Sequence, residues 1–350
     1  MKTFNIGYSN DSLFEVEKND QISSHWLKLI ESKKHIVRKV TMEKSDFMTP
    51  HDIEGLDVLQ LGGRKVDIST LENSERLSLI VRHGVGYDKV DVDACTKKAI
   101  LLANTPDGVR RAMASACLTF ILACAHDLMQ KQELIKKFTY PGDRSVLASR
   151  GTGLTGKTLG IIGCGNIGQE VFKLARPFDM NFITYDPYVK QKEIDELGIQ
   201  KVKLDTLMKE SDFVCLCVLL NEETIGLVGT NELNLMKSTA FFINISRGPI
   251  VDEAALIEVL ANQKIKGAAL DVFSEEPLGI NNPLLKFDNV IATPHNIGIT
   301  DELHINCGIA TMNAAIRVSK GEFPDFVINK EVMKDPRLID KLEKYKKQFL

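Results

Sequence analysis

Short apolar runs alternate with amphipathic segments along the first hundred residues. FNIGYS, HIVRKV, DVLQLGG, LSLIVRHGVG and AILLANTP read as strands, and QISSHWLKLIESKK reads as a helix between the first two. Such alternation predicts βα units on a parallel sheet. Most of these strands stop at Gly, Asn or Pro, where loops begin. A long helical stretch rich in Ala, Met and Leu is predicted from Val109 to about Lys136, and TYPGDRSVLASRGTG then reads as a loop. From Thr158 a second series follows. TLGIIG, NFITYD, DFVCLCVLL, TAFFINIS, IKGAALDVF and NVIATPH are predicted strands. IGQEVFKLARPF and DEAALIEVLANQ are predicted helices, and the last strong helix spans about Asp301 to Lys320. Strands this continuously apolar suit a sheet covered on both faces. The fold class expected is α/β, with doubly wound parallel sheets and helices on both faces.

Composition narrows the class without adding chemistry. In 350 residues, 44% are hydrophobic, 26% are charged, and the net charge is −3. That profile suits globular domains and gives no electrostatic footprint for nucleic acid or an anionic membrane. The basic tail from Lys341 to Lys347 reads as a solvated helix face. The run Cys117 to Ala125 is too short to span a bilayer, and the N-terminus lacks the pattern of a secretory leader. Seven scattered cysteines with no CxxC argue against a metal site or a disulfide framework and predict a reducing, cytoplasmic setting. Cys215 and Cys217 read as small buried hydrophobes on one side of a strand.

The first chemical signal is LGIIGCGNIG, residues 159–168, where G-x-G-x-x-G follows a strand and opens a helix. Gly163 permits the tight turn, Gly165 leaves room for a pyrophosphate, and Gly168 lets helix and strand pack closely. The helix N-terminus offers N–H groups to phosphate. Asp186 follows eighteen residues after Gly168, at the end of the next strand. A carboxylate there accepts ribose hydroxyls and repels a 2′-phosphate, so the expected cofactor is NAD.

Three later strand ends carry polar residues: Arg247 in NISRGPIVDE, Asp271 and Glu276 in ALDVFSEEP, and His295 in TPHNIG. In a doubly wound sheet the carboxyl ends of the strands face the ligand crevice. Hydride addition to a carbonyl creates an alkoxide that needs a proton, which histidine can supply. A neighbouring carboxylate orients the imidazole, and a guanidinium grips a substrate carboxylate.

These motifs, with RHGVGYDKVD, ANTP and YDPY, resemble the D-isomer-specific 2-hydroxyacid dehydrogenase family from about Asp57 to about Val327. The resemblance implies interconversion of a 2-oxo acid and a D-2-hydroxy acid, with Arg247 on the substrate, His295 as acid/base and Glu276 as its partner. It places Asn166 and Ile167 on the pyrophosphate, Val218, Ile245 and Asp271 on the cofactor, and the Val85–Gly86 backbone on the substrate carboxylate. It implies a discontinuous substrate domain, residues 1–105 plus 297–350, around a Rossmann-type NAD domain, 106–296. It also implies a homodimer with no nucleic-acid or membrane partner. Ser115 and Leu219 depart from the usual acidic residue and proline, and Arg110, Arg111 and Arg64 have no assigned role, although Gly62, Gly63 and Arg64 match a loop facing the substrate. A dehydrogenase-like NAD(H)-sensing or corepressor protein with the same triad stands as the alternative reading. Glu276 argues against a formate dehydrogenase relative.

Overall fold

The computed structural model describes residues 3–9, 21–40, 45–72, 74–137 and 150–349. Most of the loop expected over 139–153 therefore lies outside the described residues. The chain divides into two compact units, Met1–Val109 with Thr300–Leu350, and Arg110–Ile299.

In the first unit, strands β1 (Phe4–Tyr8), β2 (Ile36–Val40), β3 (Val58–Leu61), β4 (Leu79–Arg82) and β5 (Leu101–Asn104) form a five-stranded sheet. All neighbours are parallel, in the order β2-β1-β3-β4-β5, the flavodoxin-like arrangement. Successive residues of the central strands feed opposite cores. Val58, Leu79, Val81 and Leu101 pack with Trp26, Met312 and Leu342, while Leu59, Leu61, Ile80 and Leu102 pack with Ile53, Leu71 and Cys95. The Pro336–Phe349 helix belongs to the first of these cores through Leu338, Leu342 and Tyr345. The tail is thus a packed helix with one solvated face, since those three positions repeat at helical spacing.

In the second unit, β6 (Thr158–Ile162), β7 (Asn181–Tyr185), β8 (Ile199–Lys201), β9 (Phe213–Leu216), β10 (Phe241–Asn244), β11 (Gly267–Leu270) and β12 (Val290–Ala292) form a parallel sheet of seven. Its order is β12-β11-β10-β9-β6-β7-β8, so the direction of winding reverses between β6 and β9. This is the Rossmann order extended by one strand, and the reversal defines a crevice for ligand beyond the strand ends. Leu159, Ile161, Phe213 and Cys215 face one core, and Ile162, Val214 and Leu216 the other. Both faces are covered, as the apolar strands require.

The stretch expected as one helix from Val109 to Lys136 is two, Pro106–Ala125 and Leu128–Lys136. Asp127 takes φ 49° between them, and left-handed backbone cannot continue a right-handed helix. Pro106–Ala125 is long and apolar enough to cross a bilayer by composition alone, a length the run Cys117 to Ala125 did not suggest. Its Ala114, Cys117, Phe120, Ile121 and Cys124 are buried in the core of the second unit.

Candidate active site

The glycine turn sits where β6 meets the helix Asn166–Ala175. Gly163 has φ +95°, and a Cβ there would lie 2.5 Å from the Cys217 carbonyl oxygen and 2.6 Å from Val218 Cγ1. A Cβ on Gly168 would lie 2.3 Å from the Gly163 oxygen. Gly165 differs: a Cβ there meets nothing within 4 Å. That glycine is therefore not required by the protein's own packing, and the space before it is open. Elsewhere Asp91, Asp252 and Thr300 cap helix N-termini with their side chains. Gly165 gives the dinucleotide helix no such cap, so its first N–H groups stand available for an anion. These two observations fit the pyrophosphate of a dinucleotide, held by the backbone from Gly165 to Gly168.

Asp186 directly follows β7, beside the turn. Its Oδ2 accepts the Cys164 N–H at 2.8 Å, and its Oδ1 accepts those of Tyr188 and Val189 at 2.8 and 3.1 Å. The carboxylate is fixed against the turn and remains half-exposed. Val218 is half-buried against Gly163, and Ile245 is buried at the end of β10. Ser246 joins these two strand ends: its hydroxyl donates to the Leu216 carbonyl at 2.8 Å and accepts the Val218 N–H at 3.2 Å.

Arg247 follows immediately. Its backbone carbonyl accepts a bond from Asn244 Nδ2 at 3.0 Å, and its Nη1 donates to the Ser246 carbonyl at 2.8 Å. A Cβ on Gly248 would come within 1.9 Å of the Phe273 carbonyl group. Only glycine lets the loop after β10 cross so closely over the loop after β11, which carries Glu276. Phe273 donates its N–H to Glu276 Oε1 at 3.1 Å.

His295 Nδ1 lies 2.8 Å from Glu276 Oε2. Burial raises the Glu276 carboxyl. The His295 hydrogen bond and charge, with smaller contributions from the Phe273 N–H and the Arg247 charge, outweigh it and hold the group below its ordinary value. An ionised carboxylate only accepts, so Nδ1 carries the proton of this contact and Nε2 is the nitrogen left for chemistry. The two side chains are 34% and 43% exposed, held together yet reachable.

Asp271 is the residue that shapes this loop. It is 2% exposed, and its Oδ1 accepts the Thr293 hydroxyl at 2.6 Å and the N–H groups of Asn296 and Ile297 at 2.9 and 3.1 Å. Its backbone carbonyl accepts the His295 N–H at 2.8 Å. His295 itself adopts φ 54°, which costs about 1 kcal/mol or more and persists only where surroundings enforce it. Burial raises the Asp271 carboxyl despite these hydrogen bonds. Thr293, Asn244 and Ser246 are positioning residues that sequence reasoning did not single out; their adjacency to the catalytic candidates along the chain was the available signal.

Arg247, Asp271, Glu276 and His295 thus meet at the carboxyl ends of β10 to β12. Val85 and Gly86 belong to the first unit, after β4, where Asn104 Nδ2 donates to the Val85 carbonyl at 3.0 Å. Arg64 is 2% exposed and paired with Asp52 at 3.2 Å, so its guanidinium is turned inward. Arg111 pairs at the surface with Glu170 at 2.7 Å.

Residues 118–296 match the family model described as "D-isomer specific 2-hydroxyacid dehydrogenase, NAD binding domain". The chain is 39% identical over 272 residues to glyoxylate reductase of Thermococcus litoralis, covering 77% of this chain and 82% of that one. It is 36% identical over 312 residues to D-3-phosphoglycerate dehydrogenase of Methanocaldococcus jannaschii, covering 89% of this chain and 58% of the relative. A second phosphoglycerate dehydrogenase, from Archaeoglobus fulgidus, is covered over 48% of its length, so the chain spans about half to three-fifths of these relatives. Among solved structures, a Thermus thermophilus protein superposes with a TM-score of 0.79 at 25% identity, over 93% of this chain and 100% of that one. A glyoxylate reductase from Paecilomyes thermophila does so at 0.79 and 24%, over 95% and 100%. The chain belongs to the D-isomer specific 2-hydroxyacid dehydrogenases, and its seven-stranded unit is the NAD-binding domain of that family.

Proposed function

We propose that the protein is an NAD-dependent oxidoreductase interconverting a 2-oxo acid and a D-2-hydroxy acid. The observation that carries this reading is the His295–Glu276 contact at 2.8 Å on the strand ends beside Arg247. When bound, the nicotinamide supplies or accepts the hydride at the carbonyl carbon. The chain's own residues do the rest. Arg247 forks onto the substrate carboxylate and polarises the adjoining carbonyl. In reduction, protonated His295 gives its Nε2 proton to the carbonyl oxygen as the alkoxide forms, and in oxidation the neutral ring removes that proton. Glu276 stays ionised, keeps the proton on Nδ1 and stabilises the imidazolium. Asp271 holds the loop that aims the ring. In the other unit, the N–H groups of Val85 and Gly86 are the proposed contacts for the substrate carboxylate.

The proposed assembly is a homodimer, supported by the exposed apolar residues Leu128, Met129 and Ile135 on the helix Leu128–Lys136. The seven unpaired cysteines, six of them buried, suit a reducing compartment such as the cytoplasm.

The test is NADH oxidation with a panel of glyoxylate, pyruvate, hydroxypyruvate, 2-oxoglutarate, phosphohydroxypyruvate and branched 2-oxo acids. Turnover on at least one is expected. Tight NADH binding without turnover on any would favour the cofactor-sensing reading.

A further inference from the structure

Two loops that flank the glycine turn are tied to each other. In the sheet, β6 lies between β7 and β9. Tyr188, two residues beyond Asp186 after β7, donates its hydroxyl to Glu223, in the loop after β9. This bond therefore spans the end of the strand that carries the dinucleotide turn.

Both partners rest on built turns. The Tyr188 N–H is fixed by Asp186 at 2.8 Å. Asn221 Oδ1 accepts the N–H groups of Glu223 and Thr224 at 3.0 and 3.1 Å, and the Thr224 hydroxyl donates to the Leu219 carbonyl at 2.6 Å. Glu223 is exposed, and the Tyr188 ring is 73% exposed. Lys201 directs its ammonium to the carbonyls of Pro187 and Val189 at 3.5 and 2.6 Å. The Tyr188 hydroxyl is held above its ordinary value chiefly by the bond to Glu223, and the Asp186 charge acts on the same proton. One carboxylate from each loop thus engages Tyr188, Asp186 at its backbone N–H and Glu223 at its hydroxyl, beside the ribose position that Asp186 marks.

We propose that Glu223 is a second determinant, beside Asp186, of selectivity for an adenosine ribose without a 2′-phosphate, and that Tyr188 holds it across the adenosine end of the site. This rests on the assignment of the cofactor as NAD. A 2′-phosphate brings nearly two negative charges toward a fixed carboxylate, and solvent-exposed repulsion of that kind amounts to a several-fold loss of affinity at low salt. The unphosphorylated ribose suffers no such loss.

The test is equilibrium binding of NADH and NADPH, read by nicotinamide fluorescence, on the wild-type protein, E223Q and Y188F. E223Q keeps a hydrogen-bond acceptor and removes the charge. It is expected to tighten NADPH by about fivefold at low salt with NADH changed by less than about twofold, and the gain should vanish near 1 M salt. Y188F keeps the charge and loses the tie; NADH dissociation should accelerate about threefold, the worth of one modest hydrogen bond. An unchanged NADPH-to-NADH ratio in E223Q, or a gain that persists at high salt, would overturn the role of Glu223 while leaving the cofactor assignment intact. An unchanged dissociation rate in Y188F overturns the role of the tie. Wild-type protein that binds no NADH removes the cofactor assignment and this proposal together.

Discussion

The two parallel sheets end in carboxyl edges of opposite character. On the seven-stranded sheet, Glu276 and His295 are held by neighbours yet remain 34% and 43% exposed, and Gly165 faces open space. On the five-stranded sheet, Gln60, Arg64 and His83, at or just past the ends of β3 and β4, are 0%, 2% and 9% exposed, while Arg82 and Asn104, which end β4 and β5, are half-buried. Arg64 is ion-paired with Asp52, and Gln60 Nε2 lies 3.0 Å from His83 Nδ1. Under the proposed function, the difference lies in what the polar groups are for. A group that must exchange a proton with a substrate has to be oriented by partners and also reached by the substrate. A group buried with its partners instead fixes the loops around it. Similar residue types at similar topological positions therefore carry different roles, and exposure together with hydrogen bonding tells them apart.

The comparison breaks most visibly at the buried edge. R64M leaves the Asp52 carboxylate buried without its partner, and removing one member of such a pair costs about 3 kcal/mol or more. A urea titration should show that loss, whereas R111M, at a surface pair, should stay within about 0.5 kcal/mol. Equal effects would erase the distinction between the buried and exposed arginines.

Next come the glycines. G168A forces a Cβ to 2.3 Å from the Gly163 oxygen and should destabilise the second unit by about 1–3 kcal/mol. G165A meets no protein atom within 4 Å. It should leave the urea midpoint nearly unchanged while weakening NADH binding about tenfold or more, because the added methyl intrudes on the pyrophosphate. A G165A protein that binds NADH normally would contradict the placement of the phosphate.

The remaining effects are pH-dependent and differ between the edges. Burial, with the Arg82 charge and His304, pushes His83 from 6.5 down to about 3. Its folded value is below its unfolded one, so the unfolded chain binds the extra proton, and stability falls as pH drops below about 6.5. H83Q should flatten the urea midpoint against pH in that window. Glu276 is also held low, from 4.5, so its contribution is complete above about 4.5 and disappears as pH falls through the folded value. The stability gap between wild type and E276Q should therefore shrink only below about pH 4.5. A gap constant with pH would mean that the His295 contact does not depend on the Glu276 charge.

Much of the fold was legible because both faces of each sheet are buried, which forces continuous apolar strands such as FVCL, FFIN and GAAL. The edge strand β8, IQK, is three residues with an exposed centre and carries no such pattern. The kink at Asp127 arises from backbone conformation, which an Asp in a helical stretch does not announce. At the site, the glycine turn, Asp186 and the polar strand ends were visible as local motifs. The clasp of Asp271 on residues 293–297 and the tie from Tyr188 to Glu223 depend on side chains meeting across 22 to 35 residues, a juxtaposition that only the folded sheet creates.

The most direct measurement is the rate of 2-oxo acid reduction by H295A beside wild type, with NADH binding followed in the same samples. The His295–Glu276 geometry predicts a fall of about 10²- to 10⁴-fold in kcat with NADH affinity unchanged. A wild-type rate in H295A would contradict the acid/base role of His295.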